Sequence, residues 1–299
     1  MSRSLFDAVR TSLPVWQARN LPHRIRYGLT RRPLSPAVAA VARDLASGGI
    51  AVTRLSDLFP GELVSELDRY VLRQWERLGI DRQIGELRAR PTASKEKTSY
   101  LLDLWEGEHR LDLSNPFVRF SLSVPVLSIV SSYLGMLPKF REFFLQVTAP
   151  VASGDPYASQ RWHADPDDRR MVKVFLYLNG VDETAGPFSY IRCSHGGGRW
   201  RHLFPFAPKA RSRRPDPAFI QAHVPAEDIV VATGPAGTLI FCDTSGVHRG
   251  GYATRGHRTM WTGVYTTPAS ALPKRISVPA SLPSNLSAAA RFAIANETW

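Results

Sequence analysis

From Lys139 onward the chain is cut by Gly, Pro, Asp and Ser turns into short runs of β-branched and aromatic residues. That texture limits the fold more than any other feature. The runs are FREFFLQVT at 140–148, MVKVFLYL at 171–178, PFSYI at 187–191, TLIFC at 238–242 and RTMWTGVYT at 258–266. Strands joined by turns such as Ser153-Gly154-Asp155-Pro156 and Thr184-Ala185-Gly186-Pro187, with no helical period between them, build an antiparallel sandwich or barrel. The first 135 residues read differently. PAVAAVARDLASG at 36–48 has helical spacing and stops at Gly48-Gly49, ahead of a short strand at 50–53. A second helix over about 60–78 places Leu63, Leu67, Val71 and Trp75 on one face, and a third over about 116–134 ends at Gly135. The chain divides into a basic arm at 1–35, a helical part at 36–138 packed on the barrel, a barrel at 139–270 and a tail at 271–299. Residues 196–217, GGGRWRHLFPFAPKARSRRPDP, interrupt the barrel as a long loop.

The formal charge of +12 does not signify a nucleic-acid binder, because it sits at the ends. Residues 1–50 carry eight basic and two acidic side chains, whereas 101–200 carry ten and eleven, and no recognition motif accompanies the excess. No run of about 18 apolar residues predicts a membrane span. Two cysteines are too few for a disulfide framework and suit a reducing, cytoplasmic compartment. The Arg-rich first thirty-three residues resemble a mitochondrial presequence in composition, but with three prolines an ordinary basic arm is the preferred assignment.

Chemistry concentrates in RWHADPDD. Residues i and i+2 of an extended segment share a face, so His163 and Asp165 project together, and Pro166 biases Asp165 towards the extended conformation. A third ligand, His248, lies in CDTSGVHRGG after the 238–242 strand. Two histidines and one carboxylate form a facial set suited to Fe(II), with positions left open for O2 and a co-substrate. Arg258 opens the strand after the turn-rich segment 250–256, where its guanidinium can grip a carboxylate through two hydrogen bonds. The competing assignment for Arg258 is an ion pair with a nearby Asp.

The stretches RWHADPDD, KVFLYLNGVDETAGPFSYIRCSHGGG, GTLIFCDTSGVHRGG and HRTMWTGVYT together resemble the phytanoyl-CoA dioxygenase family of Fe(II)- and 2-oxoglutarate-dependent oxygenases. The resemblance spans roughly 139–267, with a weaker echo at 45–78. It implies a double-stranded β-helix (jelly-roll, cupin-like) barrel with N-terminal helices, iron held by His163, Asp165 and His248, and the distal carboxylate of 2-oxoglutarate on Arg258. It further implies O2 as oxidant and hydroxylation of a small molecule; halogenating relatives replace the carboxylate that Asp165 keeps. The family usually has Gly where Cys193 stands, which puts the local turn geometry in question.

Gln146, a lone amide among apolar residues, and Thr262, on the Arg258 face of its strand, are further candidates for contact with the co-substrate. Lys173 reads as an exposed strand lysine, Trp162 as packing, His195 and His257 as turn or surface residues, and Asp167 and Asp168 as a solvated turn. Arg199, Arg201, Lys209, Arg211, Arg213 and Arg214 crowd the 196–217 loop, so an anionic or carrier-linked substrate is expected. The rival functions are a non-catalytic or sensing barrel and a cupin-type metalloenzyme that does not use 2-oxoglutarate.

Overall fold

Alternation of side chains along the strands organises the molecule, whose structure is a computed structural model describing residue 9 and residues 12–89, 100–105, 110–151, 156–207, 214–270, 272–279 and 282–296. The strands are β1 (Ile50–Arg54), β2 (Leu101–Asp103), β3 (Lys139–Thr148), β4 (Met171–Tyr177), β5 (Phe188–Ile191), β6 (Ile229–Ala232), β7 (Thr238–Cys242), β8 (His248–Gly250) and β9 (Arg258–Thr266). Six of them form an antiparallel sheet in the order β1-β7-β4-β9-β3-β2, and three form a smaller one, β6-β5-β8. The helices are α1 (Leu13–Thr30), α2 (Pro36–Gly48), α3 (Leu55–Leu58), α4 (Gly61–Leu78), α5 (Ile80–Ala89), α6 (Pro116–Ser121), α7 (Val124–Leu134), α8 (Pro217–His223) and α9 (Ala288–Ile294). This is the mainly β, antiparallel architecture that the strand pattern predicts, with the N-terminal helices and jelly-roll that the family resemblance implies.

One face of the large sheet is spent on the helices. Phe143, Leu145, Val147, Val174, Leu176, Phe241 and Trp261 join residues of α2, α4, α6 and α7 in the main core. Trp261 stacks between Phe117 and Phe143 at 4.8 and 4.9 Å, a wholly buried side chain whose truncation to alanine costs about 3–5 kcal/mol. The other face looks into the space between the sheets, where Phe175, Tyr177 and Ile240 meet Phe188 and Tyr190 of β5. A bulge in β3 sets this division. Phe140 pairs with Tyr265 and Glu142 with Val264, so Arg141 is the extra residue, and Phe140 and Phe143 both reach the helical face despite their odd spacing.

Several elements depart from the sequence-based expectation. The basic arm contains α1, and it is docked. Trp16 Nε1 donates to Asp168 Oδ1 at 2.6 Å, and Asn20 Nδ2 donates to Thr267 Oγ1 at 3.2 Å. The single helix expected over 116–134 is two. Ser123 occupies the N-cap of α7 with Pro125 in the first turn, where a proline's missing N–H costs nothing, and the same proline breaks the ladder back to α6. This apolar stretch, long enough by composition to cross a membrane, is mostly buried against β3 and β9. The tail carries α9, which packs on β3. In the 196–217 insertion, Trp200, Leu203 and Phe204 close over the outer face of the small sheet with Ile220 of α8; residues 208–213 lie outside the described residues.

Candidate metal centre

His163 is held beside His248 by a reciprocal bridge: His163 N donates to His248 O at 2.9 Å and His248 N to His163 O at 2.8 Å. Asp165 N donates to Thr244 O at 2.8 Å, which ties the carboxylate to the loop between β7 and β8. The three side chains converge, with all ligand atoms within 4.8 Å of one another. His163 Nε2 stands 4.0 Å from Asp165 Oδ1, and His248 Nε2 stands 3.7 Å from Asp165 Oδ2. Ligand bonds near 2.1 Å keep neighbouring donors about 3–4 Å apart, so the set fits one ion after a small inward turn of side chains.

Protonation favours the same role. His163 Nδ1 lies 2.8 Å from Arg161 O and His248 Nδ1 lies 3.0 Å from Gly246 O. A carbonyl only accepts, so the proton sits on Nδ1 and Nε2 offers its lone pair towards Asp165. Burial lowers the His163 pKa and, with the neighbouring His163 acting in the same direction, pushes His248 down to about 3, keeping both rings neutral. Burial alone would raise Asp165, but the Lys173 ammonium, the largest opposing influence, holds the carboxyl well below the ordinary range. Lys173 Nζ approaches Asp165 Oδ2 at 2.8 Å, as an ion pair that leaves this buried oxygen without a well-directed hydrogen bond. A neutral His₂ pair with an anionic oxygen so placed suits a ferrous ion.

Arg258 lies on the inter-sheet face of β9, 4% exposed. Its Nη1 donates to Gly186 O and its Nη2 to Thr148 Oγ1 at 3.2 Å, while Nε has no partner. No carboxylate pairs with it among the described residues; Tyr177 and Tyr100 are the groups that favour its charge against burial. An ion pair with an Asp is therefore not formed among the described residues. Gly250 explains the room around it, since a Cβ there would stand 3.3 Å from Nη2. Gly250 is two residues beyond His248 on β8, one β repeat, or about 7 Å, along the strand.

Gln146 and Thr262 share the face of Arg258. Gln146 pairs with Met260, and Thr262 sits between Phe144 of β3 and Phe175 of β4. The Gln146 amide has no hydrogen bond to the described residues, so all three co-substrate candidates line one surface.

Other expectations are corrected. Lys173 points inward to Asp165 and is not an exposed strand lysine. Asp168 is no solvated turn: it is wholly buried and accepts from Trp16 Nε1, Arg169 N, Thr267 N and Thr267 Oγ1. His195 lies in a turn as expected but is buried, at 6% exposure with Tyr190 Oη 3.5 Å away; His257 is half-buried against Trp75, and neither joins the cluster of His163, Asp165 and His248. The expectation that Trp162 is a packing residue holds: it sits in the cluster outside the small sheet. In the basic loop, Arg199 is paired with Asp228 and Arg214 donates to Ala158 O, whereas Lys209, Arg211 and Arg213 lie outside the described residues.

No family model and no curated protein matches the chain. Solved structures do match. AviO1 from Streptomyces viridochromogenes Tue57 aligns over 80% of this chain and 98% of its own at 16% identity, with a TM-score of 0.51. EvdMO1 aligns over 78% of this chain and 50% of its own at 15% identity, TM-score 0.50. EctD from S. alaskensis, solved with 2-oxoglutarate and 5-hydroxyectoine, aligns over 87% and 85% at 18% identity, TM-score 0.49. At these identities the likeness is one of fold: the chain shares the jelly-roll of AviO1 and EvdMO1.

Proposed function

We propose that the protein is an Fe(II)- and 2-oxoglutarate-dependent oxygenase of the phytanoyl-CoA dioxygenase type that hydroxylates a small molecule. The observation that carries this is Arg258, a buried guanidinium with no carboxylate partner among the described residues, one β repeat from a ligand of a His₂-Asp set. That spacing suits a five-carbon dicarboxylate held at the metal by one end and at Arg258 by the other. Iron and 2-oxoglutarate supply the activation of O2 and the oxidation of a C–H bond, with loss of CO2 and formation of succinate.

This chain's residues do the rest. His163, Asp165 and His248 hold the ion, and the carbonyls of Arg161 and Gly246 fix each ring so that Nε2 faces it. Arg258 and Thr148 fix the far carboxylate, with Gln146 and Thr262 completing that wall. Phe188, 5.7 Å from the His248 ring and 4.5 Å from Phe175, keeps water from the space between the sheets. Arg214, whose charge is felt at His163, supports an anionic substrate at the mouth. A sensing barrel or a cupin that does without 2-oxoglutarate has no use for a costly buried guanidinium that meets no carboxylate among the described residues.

Succinate release from 2-oxoglutarate, followed by NMR with Fe(II), ascorbate and air, tests the assignment. Turnover is expected to require iron and to be lost in His248→Ala. Absence of both turnover and 2-oxoglutarate binding in the iron-loaded protein would overturn it.

A further inference from the structure

Helix α1 has a docked, mixed face that the barrel uses and an opposite apolar face that it does not. Trp16, Asn20, His23 and Tyr27, spaced by three or four residues, form the less exposed side, with Trp16 and Asn20 fixed to Asp168 and Thr267. On the opposite side Leu21, Ile25 and Leu29 follow at i, i+4 and i+8, and they are 54%, 56% and 83% exposed. Large aliphatic side chains are seldom left so open in a row. They border an apolar hollow of about 460 Å³ that also includes Pro22, Arg26 and Thr30.

Charge says what this ridge meets. Between Asp7 and Asp44 the sequence holds seven arginines and no acid. Helical spacing puts Arg19 and Arg26 along one flank of the ridge and Arg24 and Arg31 along the other. Arg24, Arg31 and Arg32 also line a second hollow of about 910 Å³, between α1 and the end of α7, together with Tyr27, Ser132 and Gly135. An apolar ridge bordered on both sides by arginines matches a surface with negative headgroups over a hydrocarbon interior. Protein–protein contacts of a second copy would instead bring the same arginines face to face.

We propose that α1 is an interfacial helix that seats the protein on an anionic phospholipid bilayer, with Leu21, Ile25 and Leu29 in the acyl boundary and the flanking arginines among the phosphates. Trp16 and Asn20 stay on the barrel when this happens, so the helix binds without undocking. Because its anchor Asp168 lies three residues past Asp165, the bilayer is brought to the end of the barrel that carries the metal ligands.

Flotation of the full-length protein with phosphatidylcholine vesicles, with and without phosphatidylserine, is the test. Wild type is expected to float with the phosphatidylserine vesicles, to stay in solution with phosphatidylcholine alone, and to dissociate as salt rises. Each arginine at the surface is worth about fivefold in partitioning, so Arg24→Gln with Arg26→Gln should weaken it about 25-fold. Leu21→Ser with Ile25→Ser and Leu29→Ser should abolish flotation while leaving the melting temperature near that of wild type, since these side chains are exposed. Failure of wild type to float, or flotation of the triple serine protein equal to wild type, would overturn the proposal. So would a wild-type dimer that the serine changes dissolve, or retention of duplex DNA that depends on the arginines alone.

Discussion

Replacing Arg258 by methionine separates a ligand's anchor from a structural charge. Among the described residues the guanidinium of the free protein has two hydrogen bonds and no acid, so deletion loses the bonds to Gly186 O and Thr148 Oγ1 but also removes a buried charge. These effects oppose each other, and the ligand-free melting temperature is expected within a few degrees of wild type. The co-substrate response is different. At 2-oxoglutarate a hundredfold above its Kd, with Mn(II) in place of iron to prevent turnover, wild type gains about 2.7 kcal/mol. For a chain of this size that is roughly a 5 °C rise. Truncating one partner of a buried charge pair costs about 2–5 kcal/mol, a loss of affinity of at least about 30-fold. The rise should then shrink to under about 2 °C in Arg258→Met, with the Mn(II)-induced shift intact. Arg258→Lys, which keeps the charge but not the fork, should fall between. Differential scanning fluorimetry reads all of these quantities. A full rise in Arg258→Met would place the co-substrate elsewhere and remove the chief support for the assigned reaction.

Asp165→Ala removes the sole anionic donor and should weaken Co(II) binding, followed by its visible absorption, by at least about tenfold to a hundredfold; unchanged affinity would remove Asp165 from the ligand set. Burial pushes the Asp168 carboxyl up to about 6 from 3.8, so between these values the native state holds more protons than the unfolded one. Stability from this group is present at low pH and is lost as pH rises through about 4 to 6, by roughly 3 kcal/mol. The stability difference between wild type and Asp168→Asn should change by that amount over the window, and a constant difference in urea titrations would refute the shift. Cys193 has φ 58°, in the left-handed region where a side chain costs about 1–2 kcal/mol. Cys193→Gly is therefore expected to raise stability by roughly 1 kcal/mol in thermal melts, and a drop would mean that the contact of Sγ with Ser47 O matters more than the backbone.

Much of the barrel could be read from alternation and turns, because β3, β4, β5, β7 and β9 carry strong β-formers between clear breaks. The clustering of His163, Asp165 and His248 was legible from the i, i+2 spacing of the first two together with the family resemblance that brought in the third. What escaped has physical causes. β6, β8 and β2 are three or four residues long, too short for a period to declare itself. Lys173 was misplaced because both faces of β4 are buried: Val172, Val174 and Leu176 go to the helices and Met171, Phe175 and Tyr177 to the interior, so no polar face marked the outside. Asp168 looked like part of a charged turn because its partners, Trp16 and Thr267, stand about a hundred residues or more away along the chain. The place of α1 depends on that long-range contact too, and nothing within 1–35 announces it. Cys193 is the reverse case: the departure from the family's glycine marked a position whose backbone favours glycine.

The extra residue in β3 gives that strand a parity that length changes cannot respect. Loss of one residue anywhere between Phe143 and Thr148 would turn Gln146 or Thr148 towards the helices and bring Leu145 or Val147 into the space beside Arg258. A single deletion would thus empty the polar wall and tear the aromatic stack in one event, whereas substitutions at Gln146, Met260 or Thr262 touch the cavity alone. Variation in what this barrel accepts is therefore confined to exchange of side chains at fixed chain length, and proteins derived from it with new pockets should keep the 142–148 spacing unaltered while the turns between strands drift in size.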